Sequence, residues 1–331
     1  MRIENSGDCC LSCLRGLLLG LVVVLVGLLA TNNAAAGNVY RWVDAQGKVH
    51  FGDRPATTDH AEQLDIEVGQ GWQPFAIQVF YEAGLASLPQ QPLDQVRIQR
   101  EVNWVYRFYD QVLYFDFFRQ VPVSIHVFPD VGSYQRYVSA HVAGPFPPSL
   151  GIYLPVSNEI AVYLQPSELG GIENTYNTIR HEASHAIMDS LASRLPLWLN
   201  EGVAEQMETL SWADNRFVIN AHQMNRAVLD HYRDQAMDVL AFVEIPGDEW
   251  QARLESGPNQ AMAGQLVYRL LSTSYGRACV TRLLQDYKRG ERLRSYYLLD
   301  KHYIGSVAAF KLHWSQWLAS GMKQPERVVL Q

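Results

Sequence analysis

A chain of 331 residues, 48% of them apolar, has the material for a sizeable buried core, which excludes disorder as its dominant state. A formal charge of −7 gives it no electrostatic reason to seek nucleic acid or an anionic membrane surface. Arg2 and Arg15 cancel Glu4 and Asp8 within residues 1–36, so a chain that loses this segment keeps the whole deficit.

The first element is a targeting segment. Leu17 to Ala30 is an apolar run of 14 residues, preceded by Arg15 and followed by Ala34-Ala35-Ala36. A charged flank, a short apolar run and small residues at an A-x-A site describe a secretory signal peptide over 1–36, cut near Gly37. A spanning helix needs about 20 apolar residues; an uncleaved anchor is the alternative, and only in that case is the chain tied to a membrane. The expected location is secreted or periplasmic. Cys9, Cys10 and Cys13 leave with the signal, and Cys279 alone cannot form an internal disulfide. It reads as a small buried hydrophobe.

In residues 37–70, Val39 to Val43 and Val49 to Phe51 flank Asp44-Ala45-Gln46-Gly47, the pattern of a β-hairpin. The run Tyr40-Arg41-Trp42-Val43-Asp44, with Gly47-Lys48-Val49-His50-Phe51-Gly52-Asp53-Arg54-Pro55, resembles a small uncharacterised domain that opens many secreted Gram-negative proteins. That resemblance implies export and no activity. Residues 71–92, with Gly84, Pro89, Gln90, Gln91 and Pro92, have a linker composition.

Residues 93–331 form the expected catalytic domain. Helical periodicity runs from Leu93 to about Arg119, and Val121 to Phe128 reads as a core strand in which His126 is structural. A loop with Gly144, Pro145, Pro147 and Pro148 follows. Ile152 to Leu154 and Ile160 to Leu164 then make a second hairpin. From Asn174 the pattern is mostly helical to the end, where Phe310 to Leu318 reads as a terminal packing helix. Strands early and helices late give an α+β class.

The chemistry lies in Arg180-His181-Glu182-Ala183-Ser184-His185, an H-E-x-x-H motif. Histidines at i and i+4 stand one turn apart on one helix face, within reach of one zinc. The glutamate between them is turned toward the water that the metal activates. Ile179, Ala183, Ala186 and Ile187 fall on the opposite face and pack inward. A second helix begins after Pro196 with Leu197-Trp198-Leu199-Asn200-Glu201-Gly202-Val203-Ala204-Glu205, and a catalytic zinc needs a third protein ligand.

This combination resembles the gluzincins, zinc peptidases of the thermolysin and aminopeptidase-like clan, and above all their peptidase-MA-like bacterial members. The resemblance implies a zincin-like fold, one zinc per chain held by His181, His185 and Glu201, Glu182 as general base, and a peptide or protein substrate. It implies a carboxylate behind a ligating histidine, for which Glu205 is the candidate, and an oxyanion donor among Tyr268, Tyr275, His222 and His231, with Tyr268 preferred. The strand Ile160 to Leu164 is the expected cleft edge, and Gly202 the expected close approach of the two helices. The spacing of 15 residues between His185 and Glu201 demands a tight turn. A metzincin is excluded because Met188 and Leu191 stand where its Gly and third His belong. The competing readings are a non-catalytic scaffold of the same fold and an envelope-binding protein that works through its N-terminal domain.

Overall fold

The computed structural model divides into two units, residues 1–71 and 72–331. It describes three strands of the first unit and residues 74–330 of the second, apart from 88–91, 116–122, 145, 147, 193, 234–237 and 253–257. The expected signal segment lies outside the described residues.

In the first unit β1 (Val39–Val43) pairs antiparallel with β2 (Val49–Gly52) and β3 (Glu62–Leu64), in the order β2-β1-β3. The two expected hairpin strands pair, with Val43 opposite Val49, the turn between them lies outside the described residues, and β3 adds a third strand.

The second unit is mixed α+β. Its main sheet contains β4 (Ile77–Tyr81), β5 (Val123–Phe128), β6 (Gly151–Leu154) and β7 (Glu159–Tyr163), in the order β4-β5-β7-β6. β4, β5 and β7 run parallel, and β6 returns antiparallel along the edge. Two expectations need correction. Residues 160–164 do not form the edge, because β7 is paired on both sides and β6 takes that place. The segment 71–92 is not a linker throughout, because β4 completes the sheet with Ile77 buried. The alternation of Phe75, Ile77, Val79 and Tyr81 carries β4; the Gly and Pro residues that follow it mask the signal.

Helix α1 (Gln95–Gln111) is capped by Asp94, whose side chain accepts from the Val96 N–H. Helix α2 (Val131–His141), absent from the sequence reading, is capped in the same way by Asp130. Helix α3 (Gly171–Leu191) buries Ile179, Ala183, Ala186 and Ile187, the face expected to pack inward. It is followed by α4 (Leu197–Glu208), α5 (Gln223–His231), and the short α6 (Val239–Phe242) and α7 (Gly247–Ala252). Then come α8 (Asn259–Leu271), α9 (Ser274–Lys288), α10 (Ser295–His302) and α11 (Ser306–Ala319). Phe310, Trp314 and Trp317 of α11 are buried, as a packing helix requires.

The second half is not wholly helical. β8 (Ser211–Ala213), β9 (Arg216–Asn220) and β10 (Arg327–Leu330) form a small antiparallel sheet. The β8–β9 turn is Asp214-Asn215, both at positive φ, where short polar side chains are tolerated. His126 sits between Phe80 and Tyr137 with Nδ1 2.9 Å from Glu82, a structural role. Cys279 is fully buried, and burial pushes its thiol up to about 12, which removes it as a nucleophile at neutral pH. Among the described residues no helix is long and apolar enough to cross a membrane.

Candidate metal centre

Helix α3 places His181 and His185 one turn apart, with ring centroids 4.8 Å from each other. It ends at Leu191, and α4 begins at Leu197 with Pro196 as its N-cap. This short return sets Glu201, near the start of α4, against both imidazoles. Its Oε2 lies 3.5 Å from His181 Nε2 and its Oε1 lies 3.7 Å from His185 Nε2. Donors arranged tetrahedrally around one zinc at about 2.0–2.1 Å stand about 3.4 Å apart. Two imidazole nitrogens and one carboxylate at these separations fit zinc in both chemistry and spacing. The charges agree. Against the effect of burial, the two imidazoles hold Glu201 below the ordinary carboxylate range, and Glu201 with Glu208 holds His181 well above its usual value. A cluster that favours a positive charge between an imidazole pair and a carboxylate suits a cation, whose binding would release protons.

Glu182 is buried on the same helix but is not part of this triad. The backbone of Tyr153, on edge strand β6, lies near its carboxylate and favours the charged form. Burial, with the nearby Glu201 charge, raises its pKa against the pull of His185 and His181. A carboxylate so placed is a stronger base than one in water.

Behind the triad each histidine is held by its other nitrogen. His185 Nδ1 meets Asn200 Oδ1 at 3.3 Å. His181 Nδ1 meets Glu208 Oε1 at 2.8 Å, and Glu208 Oε2 meets His222 Nε2 at 2.9 Å. The tautomers follow from one unambiguous donor. The Asn225 backbone N–H can only donate, and it reaches His222 Nδ1 at 3.3 Å, capping α5. His222 Nδ1 is therefore the acceptor and Nε2 carries the hydrogen that Glu208 accepts. Glu208 in turn accepts from His181 Nδ1–H, which leaves His181 Nε2 to face Glu201. Glu208 raises the pKa of His222 against burial, but a proton on Nδ1 would cost α5 its cap.

The carboxylate behind His181 is thus Glu208, not Glu205. Glu205 Oε2 instead accepts from Asn225 Nδ2. Burial and the neighbouring Glu208 charge raise the pKa of Glu205, whereas the two imidazoles lower that of Glu208. Glu201, Glu205 and Glu208 stand at i, i+4 and i+7 on one face of α4, so the sequence held the signal for Glu208 two turns past the ligand.

His222→Asn should keep an acceptor for the Asn225 N–H but fall short of Glu208. Zinc affinity should then drop about tenfold while helix α5 stays capped. His222→Gln should retain the reach to Glu208 and lose the cap, costing about 1 kcal/mol of stability with zinc affinity kept. Zinc titration and denaturant unfolding of both variants test this; equal zinc affinity in the two would show that Glu208 holds His181 unaided.

Two further features fix the helices. Arg180 is buried, paired with Glu101 of α1, and donates to the carbonyls of Met207 at 2.9 Å and Glu208 at 2.5 Å at the end of α4. Gly202 does mark a close approach, but to α8: a Cβ there would stand 2.5 Å from Val267 Cγ2 and 2.7 Å from the Ala263 carbonyl oxygen.

The oxyanion candidates are not brought to the triad. Tyr268 is buried and its OH donates to the Pro325 carbonyl at 2.8 Å, which corrects its assignment as a catalytic donor. Tyr275 packs against Tyr303 and His313. His231 is exposed beside Tyr232. His222 serves Glu208.

The family described as a domain of unknown function (DUF4124) matches residues 26–70, a stretch that contains the small N-terminal sheet and none of the metal centre. No curated protein matches the chain.

Proposed function

We propose that this chain is an exported zinc peptidase of the gluzincin type, hydrolysing peptide bonds with Glu182 as general base. The observation that carries the reading is the meeting of His181 Nε2, His185 Nε2 and the Glu201 carboxylate at zinc-like spacing, with a buried carboxylate of raised pKa beside them. A zincin-like fold for residues 72–331 agrees with the helix that carries both histidines lying next to a sheet whose edge strand runs antiparallel to its neighbour. Export rests on the Leu17–Ala30 run and the small residues after it.

His181, His185 and Glu201 would hold the metal, which when bound supplies Lewis acidity toward a carbonyl and eases deprotonation of water. Glu182 takes the proton of the attacking water and later passes it to the leaving amine. Glu208 and Asn200 keep the imidazoles oriented, so no reorganisation is needed on binding. Edge strand β6 is unpaired on its outer side among the described residues, which suits an extended substrate backbone. The Tyr153 backbone lies near Glu182, so a substrate strand laid on β6 would arrive beside the proton acceptor.

Protein purified without chelators should contain one zinc per chain, and His185→Ala should lose it together with peptide hydrolysis. Native protein free of stoichiometric metal would end the peptidase reading.

A further inference from the structure

A cleft of about 760 Å³ in the second unit is lined by none of the metal-centre residues. That volume falls within the roughly 300–1,000 Å³ of small-molecule sites. Three of its wall residues are arginines: Arg216 opens β9, and Arg277 and Arg282 stand on α9. Among the described residues no acidic side chain lines it. Arg277 donates from Nη1 to the Leu271 carbonyl at 3.1 Å, which pins it where α8 meets α9. Arg216 and Arg282 are exposed, and neither has a carboxylate partner among the described residues. The one acid of α9, Asp286, is held by Lys301 and His302 at 2.9 and 2.7 Å. In a chain with 34 acidic against 27 basic residues, three unopposed guanidiniums reverse the net charge locally. A concave wall of one sign focuses its field and concentrates ions of the other sign.

The rest of the wall selects among anions. Ser274 and Thr281 line it as well and add hydroxyl donors. Tyr114, also in the wall, is 62% exposed and stands at a φ of 51°, a left-handed conformation that an aromatic residue rarely takes. Gln285 of α9 donates to its carbonyl at 3.4 Å, so the helix of the cleft also holds this turn. One guanidinium fork satisfies both oxygens of a carboxylate. A phosphate or sulfate keeps a further terminal oxygen for a hydroxyl donor or a second arginine. A cation would be repelled, and a neutral ligand would leave the guanidiniums without a counter-charge. Arginines brought from two separate elements call for more than one such group. We infer that this cleft binds a ligand carrying several phosphate or sulfate groups, either a soluble molecule such as a substituted sugar or a lipid headgroup.

Binding to the full chain tests this without turnover. Sucrose octasulfate and inositol hexakisphosphate are titrated beside sucrose and tetraglutamate. The first two should bind, more weakly as salt is added. Sucrose should not bind, and tetraglutamate should bind at least about tenfold more weakly. Arg277→Gln with Arg282→Gln should weaken binding about 10–100-fold, and Arg216→Gln, from the other element, about tenfold. Arg289→Gln, on the same charge but outside the cleft, should leave affinity as it is. Tyr114→Gly suits the positive φ, so stability should not fall while affinity does, a split that damage to the fold would not produce. The same arginine dependence in the His185→Ala chain shows that the probes are not captured by a metal. Phosphatidylcholine vesicles with and without phosphatidic acid separate the sources. Arginine-dependent binding to the acidic vesicles assigns the site to a headgroup, and its absence assigns it to a soluble ligand. No binding of either polyanion, binding indifferent to the three arginines, binding lost with His185→Ala, or equal affinity for tetraglutamate overturns the site.

Discussion

Replacing Glu182 by Gln should leave zinc bound and cut turnover by about 10²–10⁴-fold, the usual worth of general acid–base catalysis. Glu182 lies between two histidines on α3, yet its carboxylate stays outside the triad. The amide of Gln keeps the size and loses the basicity. Glu201 faces both Nε2 atoms from a separate helix. Glu201→Gln should therefore lower metal affinity and activity together. Zinc occupancy and hydrolysis are measured on both variants side by side. Loss of zinc from Glu182→Gln, with retention of zinc and activity in Glu201→Gln, would reverse the two roles.

Arg180→Met should destabilise the chain by about 3–5 kcal/mol, the usual cost of removing one partner from a buried ion pair. Arg180 and Glu101 are 6% and 5% exposed, so the glutamate would be left in the interior with Arg97, 2.7 Å from its Oε1, as its remaining close partner. The carbonyls of Met207 and Glu208 would each lose a donor at the same time. Glu101→Leu in the same chain should recover much of the loss, because an apolar pair of similar volume is tolerated where half an ion pair is not. Denaturant unfolding of the single and double variants gives both numbers. A single variant within about 0.5 kcal/mol of wild type would show that the pair holds nothing together.

The sequence was most legible where chemistry and local geometry coincide. His181, Glu182 and His185 share one helix, and their spacing alone puts the two imidazoles on one face; Glu201 came from a resemblance to a second helix that also starts where Pro196 breaks the first. Legibility failed where a role depends on which helices pack together. Glu205 and Glu208 lie on one face of α4, and only the approach of α3 and α5 decides which of them meets His181. Tyr268 stood at a plausible place in the chain, but the Pro325 carbonyl claims its hydroxyl. β8–β9 was lost in a stretch read as helical although Asp214-Asn215 is turn chemistry, and β10 pairs with β9 across more than a hundred residues. The edge position of β6 was hidden for a similar reason: a hairpin pattern says which strands pair but not which one a third strand joins.

Gly202 has a consequence for how metal and fold depend on each other. Glu201 is its neighbour on α4, and the missing Cβ lets that helix rest directly on Ala263 and Val267 of α8. The third ligand is thus fastened to the C-terminal half of the unit as well as, through Arg180 and Glu208, to the helix of the other two. A zinc held by all three would span the seam between α3 and α4, so occupying the site and keeping those helices docked would become one equilibrium. By thermodynamic linkage, each decade of free zinc above its dissociation constant adds about 1.4 kcal/mol against opening of the seam. Conversely, a substitution along α8 that lets α4 lift away would weaken zinc binding by the same free energy, though α8 supplies no donor atom.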